Sequence, residues 1–495
     1  MELFSFSVES LGASTLQVVP MLVLLFSGLA LMLLDAFGIS KPLPWLAAAG
    51  ILGSALSAAF LSVPESTPAF FGMMETGGIA PLVHIFICLS GFLTLFFLQD
   101  YLKRYEKDIP DVYALLVFAL LGMILLANAN DLIMSFIGLE TMSICLYIFA
   151  ALYKTDERST ESGFKYFLLG SFASAFLLFG ISLIYGVTGF TNFTVLHTPE
   201  VLERLTQNEA LFLVAAGLIL IGFLFKVAAF PFHTWTPDVY TGTPTPLAGF
   251  MSTGSKLAAF VALGVIMQKL NMLAFEKIQI VIALAALFTM IYGNIVAARQ
   301  QNLKRMLAYS SIAHSGYVLL GLLAAMVGFK AMIFYMFIYT LMNIGAFGMI
   351  GMAESSFEDT EIERWKGLGK RAPIFAGGLT VFLFSLAGIP PLAGFMSKYQ
   401  VFLSAITEDF VFLATIGILT SVVGAFYYIR VIVQMFFHQE ENQLSLNFKL
   451  LPTAGVLILA ALILLLGVFP SLIMEPIQAA FGSTVLNEAT AVIGQ

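Results

Sequence analysis

Five ionisable residues lie inside long apolar runs of this chain: Glu140, Lys165, Lys226, Lys256 and Lys398. A charged residue at the centre of a membrane helix costs about 2.5–3.5 kcal/mol. Apolar residues would avoid that cost, so buried charges in membrane helices usually face a hydrated interior and serve as substrate sites or proton relays. The pattern therefore predicts a membrane protein whose interior carries ions or protons.

The depth of the lysines in their apolar runs differs. Lys256 follows the start of its run by about 11 residues, or about 16 Å at 1.5 Å per residue, which is mid-membrane. At that depth a lysine cannot reach the surface, and the small polar residues at 252–255 leave room for water. The alternative role for Lys256 is a structural ion pair. Lys165 lies only about two residues inside its run, so it could be a relay group or extend to the nearby inner surface.

Two of the lysines lie close to prolines. Lys226 comes five residues before Pro231, and Lys398 comes eight residues after Pro390. Proline removes one N–H from a helix and frees a carbonyl about one turn earlier. A freed carbonyl offers a polar partner and a water site within the membrane. Because removal from water disfavours the charged amine, a lysine in such a place can release and rebind a proton.

Glu140 and the histidines add further titratable groups. Glu140 lies near the middle of the run 131–149, and its expected proton partner is Lys226. His314 is either a possible relay group or a core histidine hydrogen-bonded to serine. His84 is interpreted as structural.

Long apolar runs also dominate the rest of the 495-residue chain. Hydrophobic residues make up 59% and charged residues 11%, with a mean hydropathy of +0.95, whereas a soluble domain averages about 25% charged residues. Because about 20 apolar residues span the hydrocarbon core, we expect an all-α membrane protein with about fourteen transmembrane helices. The expected spans are 15–36, 42–63, 79–100, 111–128, 131–153, 163–187, 210–240, 245–268, 278–297, 303–325, 330–353, 372–408, 411–436 and 451–472.

Lysine and arginine are distributed unevenly between the expected loops. If both termini face outward, fifteen of these residues lie in inner loops and four in outer loops. Cytoplasmic loops of membrane proteins carry the excess of lysine and arginine. The distribution predicts that both termini lie on the outer side and that the charged loop 354–373 is a cytoplasmic surface.

An internal repeat relates the two proline-containing spans. FLFKVAAFP at 223–231 in the seventh span matches FLFSLAGIP at 382–390 in the twelfth at five of nine positions. These would be the broken fourth helices of two five-helix units, formed by helices 4–8 and helices 9–13. Since five is odd, the units would be inverted, as in many transporters. Chance similarity of two Phe/Leu/Ala-rich segments is the alternative. The predicted division is 1–110, 111–268, 278–436 and 451–495.

We expect no cofactor in this chain. Cys88 and Cys145 both fall inside apolar runs, and the sequence lacks the ligand clusters of flavin, haem or iron–sulfur centres. It also lacks a Gly-rich phosphate loop after a predicted strand and any zinc spacing. Nucleic-acid binding is not expected.

Several long motifs resemble those of a known family. They are GLE at 138–140, KYFLLGSFASAFLLFG at 165–180, FPFHTWTPDVYTGTPTP at 230–246, RMLAYSSIAHSGY at 305–317 and GIPPLAGFMSKYQVF at 388–402. The likeness runs from about residue 110 to 440. It resembles the antiporter-like, proton-translocating membrane subunits of respiratory complex I, the bacterial NADH:quinone oxidoreductase. That family is itself similar to subunits of multisubunit Na⁺/H⁺ antiporters.

The resemblance implies roles for particular residues. The family's glutamate of the fifth helix falls on Glu140, its broken-helix lysine on Lys226, its eighth-helix lysine on Lys256 and its twelfth-helix group on Lys398. These groups would form an axis that joins two half-channels and is driven by redox chemistry in other subunits. Of three subunit types, one has glutamate at the twelfth-helix position and another has a long C-terminal extension. The resemblance therefore implies the third type.

The resemblance also implies an assembly. We expect the chain in the bacterial inner membrane with other membrane and peripheral subunits of the NADH:quinone oxidoreductase, including sibling antiporter-like subunits. NAD, FMN, iron–sulfur clusters and quinone are expected in those partners. The alternative is a subunit of a multisubunit Na⁺/H⁺ antiporter, which has no redox partner. A non-transporting scaffold is disfavoured by the cost of the buried charges.

The loop charges generate a test of topology. A cysteine placed in the 354–371 loop should react with a membrane-impermeant thiol reagent only from the cytoplasmic side, because that loop belongs to the basic set. Labelling of intact cells and of inverted vesicles measures this. Reaction from the outside would overturn the orientation.

Overall fold

The computed structural model describes residues 8–104, 109–357, 359–438 and 450–481. Within these ranges, eleven helices are long and apolar enough to cross a membrane, or twelve if one bent pair forms a single span. Two further apolar helices have 17 and 15 residues. The all-α membrane fold is confirmed, whereas the count of fourteen spans stays a prediction.

The elements of the described chain follow one another through short connections. The helices are α1 Val8–Ala36, α2 Leu43–Phe60, α3 Ala80–Arg104, α4 Asp111–Ala127, α5 Leu132–Ala150, α6 Glu157–Thr188, α7 Phe193–Leu196, α8 Pro199–Gln207, α9 Glu209–Lys226, α10 Thr236–Gly242, α11 Thr245–Lys269, α12 Glu276–Arg299, α13 Leu303–Leu323, α14 Ala325–Phe357, α15 Leu368–Arg371, α16 Pro373–Ala387, α17 Ala393–Thr407, α18 Val411–Phe437, α19 Leu450–Val468 and α20 Ser471–Phe481. Short 3-10 helices cover Met272–Ala274 and Ile362–Trp365, and two strands cover β1 Thr67–Ala69 and β2 Met74–Thr76.

The two short strands form an antiparallel hairpin at one end of the bundle. Gln17 of α1 accepts hydrogen bonds from Thr67 at 3.1 Å and Thr76 at 2.6 Å. The backbone N–H of Glu75 donates to the carbonyl of Asn128 at 2.8 Å, which ties the hairpin to the end of α4. We call this the hairpin end. The predicted orientation places it on the outer side of the membrane.

The helix pairs α4–α5 and α12–α13 are packed in the same way. In each pair, one glycine on each helix lies against the opposite helix. These glycines are Gly122 and Gly138 in the first pair, and Gly293 and Gly316 in the second. A Cβ atom at any of these four positions would collide with the backbone of the opposite helix. Small residues allow membrane helices to approach this closely. Both pairs therefore touch backbone to backbone.

The seventh and twelfth predicted spans are both interrupted, as the prolines indicate. The first stops where α9 ends at Lys226, and the chain resumes as α10 after nine non-helical residues. The second stops where α16 ends at Ala387, and Gly388 then adopts a left-handed conformation with φ of 85°. The free carbonyl groups at these ends are used: Trp235 Nε1 donates to Phe225 O at 3.1 Å, and Lys398 Nζ donates to Ala387 O at 3.0 Å.

The helices α11, α13 and α14 occupy the centre of the bundle. At least 94% of the residues in the most apolar stretch of each are buried, against 28% in α1 and 33% in α18. The helix α3 packs beside α11 and α14. Polar side chains on these helices therefore face other protein groups and not the lipid.

The glycine contacts generate a test of the packing. Gly293→Val should lower the midpoint temperature of thermal denaturation of the detergent-purified protein, because overpacking costs about 1–3 kcal/mol. Gly217→Val is the matched control, since a Cβ atom there meets no atom within 4 Å. Equal midpoints for the two variants would contradict the close contact between α12 and α13.

Candidate functional site

The predicted lysines fall into two groups by exposure. Lys226, Lys256 and Lys398 are only 3%, 1% and 6% exposed, so these three amines lie inside the protein. Lys165 has 38% of its side chain exposed. Glu140 is half-buried on α5. Lys165 therefore lies nearer the surface of the bundle than the three buried lysines.

Lys226 lies in an aromatic cage at the end of α9. Its Nζ donates a hydrogen bond to Tyr147 Oη at 3.1 Å. The ring centroids of Tyr147, Tyr166 and Phe225 lie 5.1, 5.8 and 5.5 Å from the same atom. A desolvated cation over an aromatic face gains about 2 kcal/mol. The cage thus offers the ammonium group partners that carry no charge.

The expected direct pair of Glu140 with Lys226 is not formed. Among the described residues, no carboxylate lies within 4 Å of Lys226, and Glu140 instead accepts a short hydrogen bond from Ser174 of α6. The Ser174 hydroxyl also lies beside the phenol of Tyr147. The hydroxyls of Ser174 and Tyr147 therefore lie between the two charged groups.

The sequence contained a signal for Tyr147 that the motif comparison did not use. Tyr147 follows Glu140 by seven residues, or two helical turns, so both lie on one face of α5. The phenol fits there because α6 has a glycine opposite: a Cβ atom at Gly170 would collide with Tyr147 Oη.

Lys165 belongs to an ion cluster at the end of the bundle opposite the hairpin end. Its Nζ lies 2.6 Å from Glu161 Oε1 and 2.9 Å from Asp238 Oδ2. The other oxygen of Asp238 pairs with Arg305 Nη1 at 2.9 Å. Asp238, which sequence reasoning had not singled out, thereby links α6, α10 and α13. This geometry favours the surface position for Lys165 over the buried one.

Lys256 is held entirely by α13. Its Nζ donates to Ser311 O at 2.9 Å, Ser311 Oγ at 2.6 Å and Ser315 Oγ at 2.9 Å. All three protons of the ammonium group thus have a neutral oxygen as partner. No ion pair within 4 Å is formed by Lys256 in the described part of the chain, so the alternative of a structural ion pair is not supported.

His314 follows on the same helix and contacts tyrosines. Its Nδ1 lies 2.6 Å from Tyr335 Oη, and its Nε2 lies 3.3 Å from Tyr428 Oη. Tyr428 in turn forms a short hydrogen bond with Ser310. The expected alternative, a histidine bonded directly to serine, is wrong in this respect, because a phenol lies between the imidazole and the serine.

Lys398 lies at the break between α16 and α17. Besides Ala387 O, its Nζ donates to Ser421 Oγ of α18 at 2.9 Å and lies 5.4 Å from the ring centroid of Tyr317. Asn294 fixes that tyrosine by donating to Tyr317 Oη at 2.8 Å, and accepts from Tyr427 at 3.2 Å. A cavity of about 470 Å³ borders Lys398 between α17 and α18.

The arrangement as a whole places amines and hydroxyls in one series. The amines of Lys226, Lys256 and Lys398 each have a hydroxyl partner within hydrogen-bond distance. A hydroxyl can both donate and accept, so it can serve an amine with or without its extra proton. The site therefore has the chemistry of a proton relay.

This chain is similar to known proteins along most of its length. Residues 129–424 match the family model described as NADH:quinone oxidoreductase/Mrp antiporter, TM. A protein named NADH-quinone oxidoreductase subunit N 1 from Chloroherpeton thalassium is 41% identical over 475 residues, covering 94% of this chain and 98% of the relative.

Two solved structures show the same fold. One is a chain of respiratory complex I from Thermus thermophilus with bound aureothin, with a TM-score of 0.79 at 31% identity over 93% of this chain and 99% of that one. The other is a chain of the Mrp complex from Dietzia sp. DQ12-45-1b, with a TM-score of 0.83 at 20% identity over 96% and 97% of the two chains, a likeness of fold alone. This chain belongs to the NADH:quinone oxidoreductase/Mrp antiporter family of membrane proteins.

Proposed function

We propose that this chain is the N-type proton-translocating subunit of an NADH:quinone oxidoreductase. The observation that carries the proposal is that the three buried lysines are held by neutral oxygens and aromatic rings. A carboxylate partner would hold the ammonium charge in place, whereas hydroxyls accommodate both protonation states. Such a set of amines can load and unload protons.

A role in a multisubunit Na⁺/H⁺ antiporter remains the second candidate function, because the matched family includes both NADH:quinone oxidoreductase subunits and Mrp antiporter subunits. The dehydrogenase is favoured, since a relative that carries its name is 41% identical over nearly the full length. The likeness to the Mrp chain, at 20% identity, concerns the fold. Identification of the subunits that co-purify with this chain separates the two functions.

We also propose where the chain lies in the cell and which subunits surround it. The chain would lie in the bacterial inner membrane with both termini on the periplasmic side, beside sibling antiporter-like subunits and peripheral subunits. NAD, FMN, iron–sulfur clusters and quinone would belong to those partners. Redox energy would reach this chain through contacts with them.

We also infer that 111–268 and 278–436 are inverted repeats, flanked by 1–110 and 451–495. The corresponding helix pairs α4–α5 and α12–α13 use the same reciprocal glycine contact. The corresponding fourth helices are both interrupted, and each supplies a buried lysine near its break. These two independent likenesses support the repeat, which the sequence match alone left open to chance.

The proposed route begins at Glu140 and passes through Ser174 and Tyr147 to Lys226. It continues to Lys256 and then through the hydroxyl and imidazole groups around His314. Lys398 is the last group, because only the second half of its broken helix separates it from the outer surface. Lys165 would act at the inner mouth, where its ion cluster meets water.

Removal of one hydroxyl tests the first part of this route. Tyr147→Phe keeps the ring under Lys226 but deletes the hydrogen bond at 3.1 Å. Proton transport by the reconstituted complex should fall roughly tenfold, as expected for losing a hydrogen bond to a charged group. Tyr185→Phe on the exposed face of α6 is the control. Normal transport by an assembled Tyr147→Phe complex would remove the phenol from the route.

Exchange of the last amine tests the proposed function itself. Lys398→Arg should abolish proton transport, because arginine keeps its charge but cannot release its proton at accessible pH. Lys398→Glu should retain part of the transport, since carboxylate can also load and release a proton. The exposed Lys277, exchanged for arginine, is the control.

A static ion-pairing role for Lys398 predicts the opposite order, with arginine tolerated and glutamate disruptive. Proton uptake driven by NADH oxidation is measured in proteoliposomes that contain each assembled variant. An active Lys398→Arg complex would end the assignment of Lys398 as a proton-loading group.

A further inference from the structure

A second cavity lies at the hairpin end, away from the three buried lysines. Its volume is about 280 Å³, and it is bordered by the hairpin, α3, α4, α11 and α14. Phe481 of α20 covers one side, with its ring 5.8 Å from that of Phe329 and 5.4 Å from Lys330 Nζ. No residue of the route proposed above lines this cavity.

Charged and polar side chains from three separate segments line the cavity. Glu75 comes from the hairpin and forms a short hydrogen bond with Ser66. His197 comes from the loop after α7, and its Nδ1 lies 3.2 Å from the carbonyl oxygen of Lys269, at the end of α11. Residues that carry a carboxylate, an imidazole and an ammonium group thus line the same cavity.

A buried polar residue borders the cavity where α4 ends. Asn128 is 5% exposed, and its Oδ1 has no hydrogen-bond partner within the described structure. A cavity of this size has room for several waters, because about one probe sphere of space suffices for each. Ser66, Glu75 and His197 also line the cavity, so it has both the room and the polar groups that waters need.

The floor of the cavity comes close to the level of Lys256. Val261 on α11 lines the floor and follows Lys256 by five residues, or about 7.5 Å along the helix axis. Val83 lines the floor from α3, which runs antiparallel to α11, with Ser90 packed against Gly254. About one and a half helical turns of apolar side chains therefore separate the cavity from the central lysine.

We propose that this cavity is an outer water vestibule and a second outlet for protons, fed from Lys256 past Val83 and Val261. The inference rests on the proposed function. The Lys256 ammonium gives one proton to a water molecule within the apolar floor. The proton then passes into the cavity and leaves through the groups at its opening. Lys256 is left as the neutral amine and regains a proton from the side of Lys226. This outlet differs from the one at Lys398.

Cysteine modification tests whether the vestibule opens to the outside. The native Cys88 and Cys145 are both buried, so a new cysteine can be followed by itself. Val265→Cys should react with a cationic, membrane-impermeant methanethiosulfonate added to right-side-out vesicles. If that variant does not assemble, Ala80→Cys probes the same cavity from α3. A cysteine that stays unmodified in an assembled complex overturns the vestibule.

Proton transport tests whether the vestibule is an outlet. After modification, the Val265→Cys complex should lose at least half of its transport, whereas a modified Lys277→Cys complex at the same end, outside the cavity, should keep it. Equal transport by both modified complexes overturns the outlet. The unmodified Val265→Cys complex supplies the baseline for this comparison, and absence of proton transport by the complex without substitutions would instead contradict the proposed function.

The apolar floor provides the test of the link to Lys256. Val261→Ser should hydrate the floor and speed the passive decay of a pH gradient across proteoliposomes, measured without NADH. Val281→Ser, on the exposed face of α12, is the matched control. An unchanged decay in an assembled Val261→Ser complex would disconnect the cavity from the central lysine.

Discussion

A buried ammonium group in a membrane must find its hydrogen-bond partners inside the protein, and much of this fold serves that need. Lys256 shows the solution most clearly, because one neighbouring helix supplies all three of its acceptors. Unpaired burial of such a charge would cost several kcal/mol. The serines of α13 can satisfy it only because α11 and α13 both lie at the centre of the bundle.

Broken helices extend the same principle to the two outer lysines. The last carbonyl groups of a helix have no partner within that helix, so they can accept hydrogen bonds from side chains. The end of α16 leaves Ala387 O free for Lys398, and the end of α9 leaves Phe225 O free for Trp235, whose ring stacks near Tyr166 in the cage of Lys226. The interruptions are therefore part of how the amines are held.

Features that depend on position along one helix were predictable from the sequence. The depth of Lys256 and the breaks at the prolines are of this kind. Partners across helices were not, because they depend on how each helix is rotated about its axis. Glu140 was expected to meet Lys226 directly, yet Ser174 and Tyr147 lie between them. The ion pairs of Asp238 join three helices that are far apart in the sequence, so no local pattern announces them.

The reciprocal glycine contacts have a mechanical consequence. Where two helices touch backbone to backbone, no layer of side chains remains that could change rotamers and let one helix slide past the other. The pairs α4–α5 and α12–α13 must then move as rigid blocks. Bending is then confined to the non-helical stretches at 227–235 and 388–392. Any motion that changes the hydrogen-bond partners of the amines would therefore bend the protein at the two breaks where Lys226 and Lys398 are held.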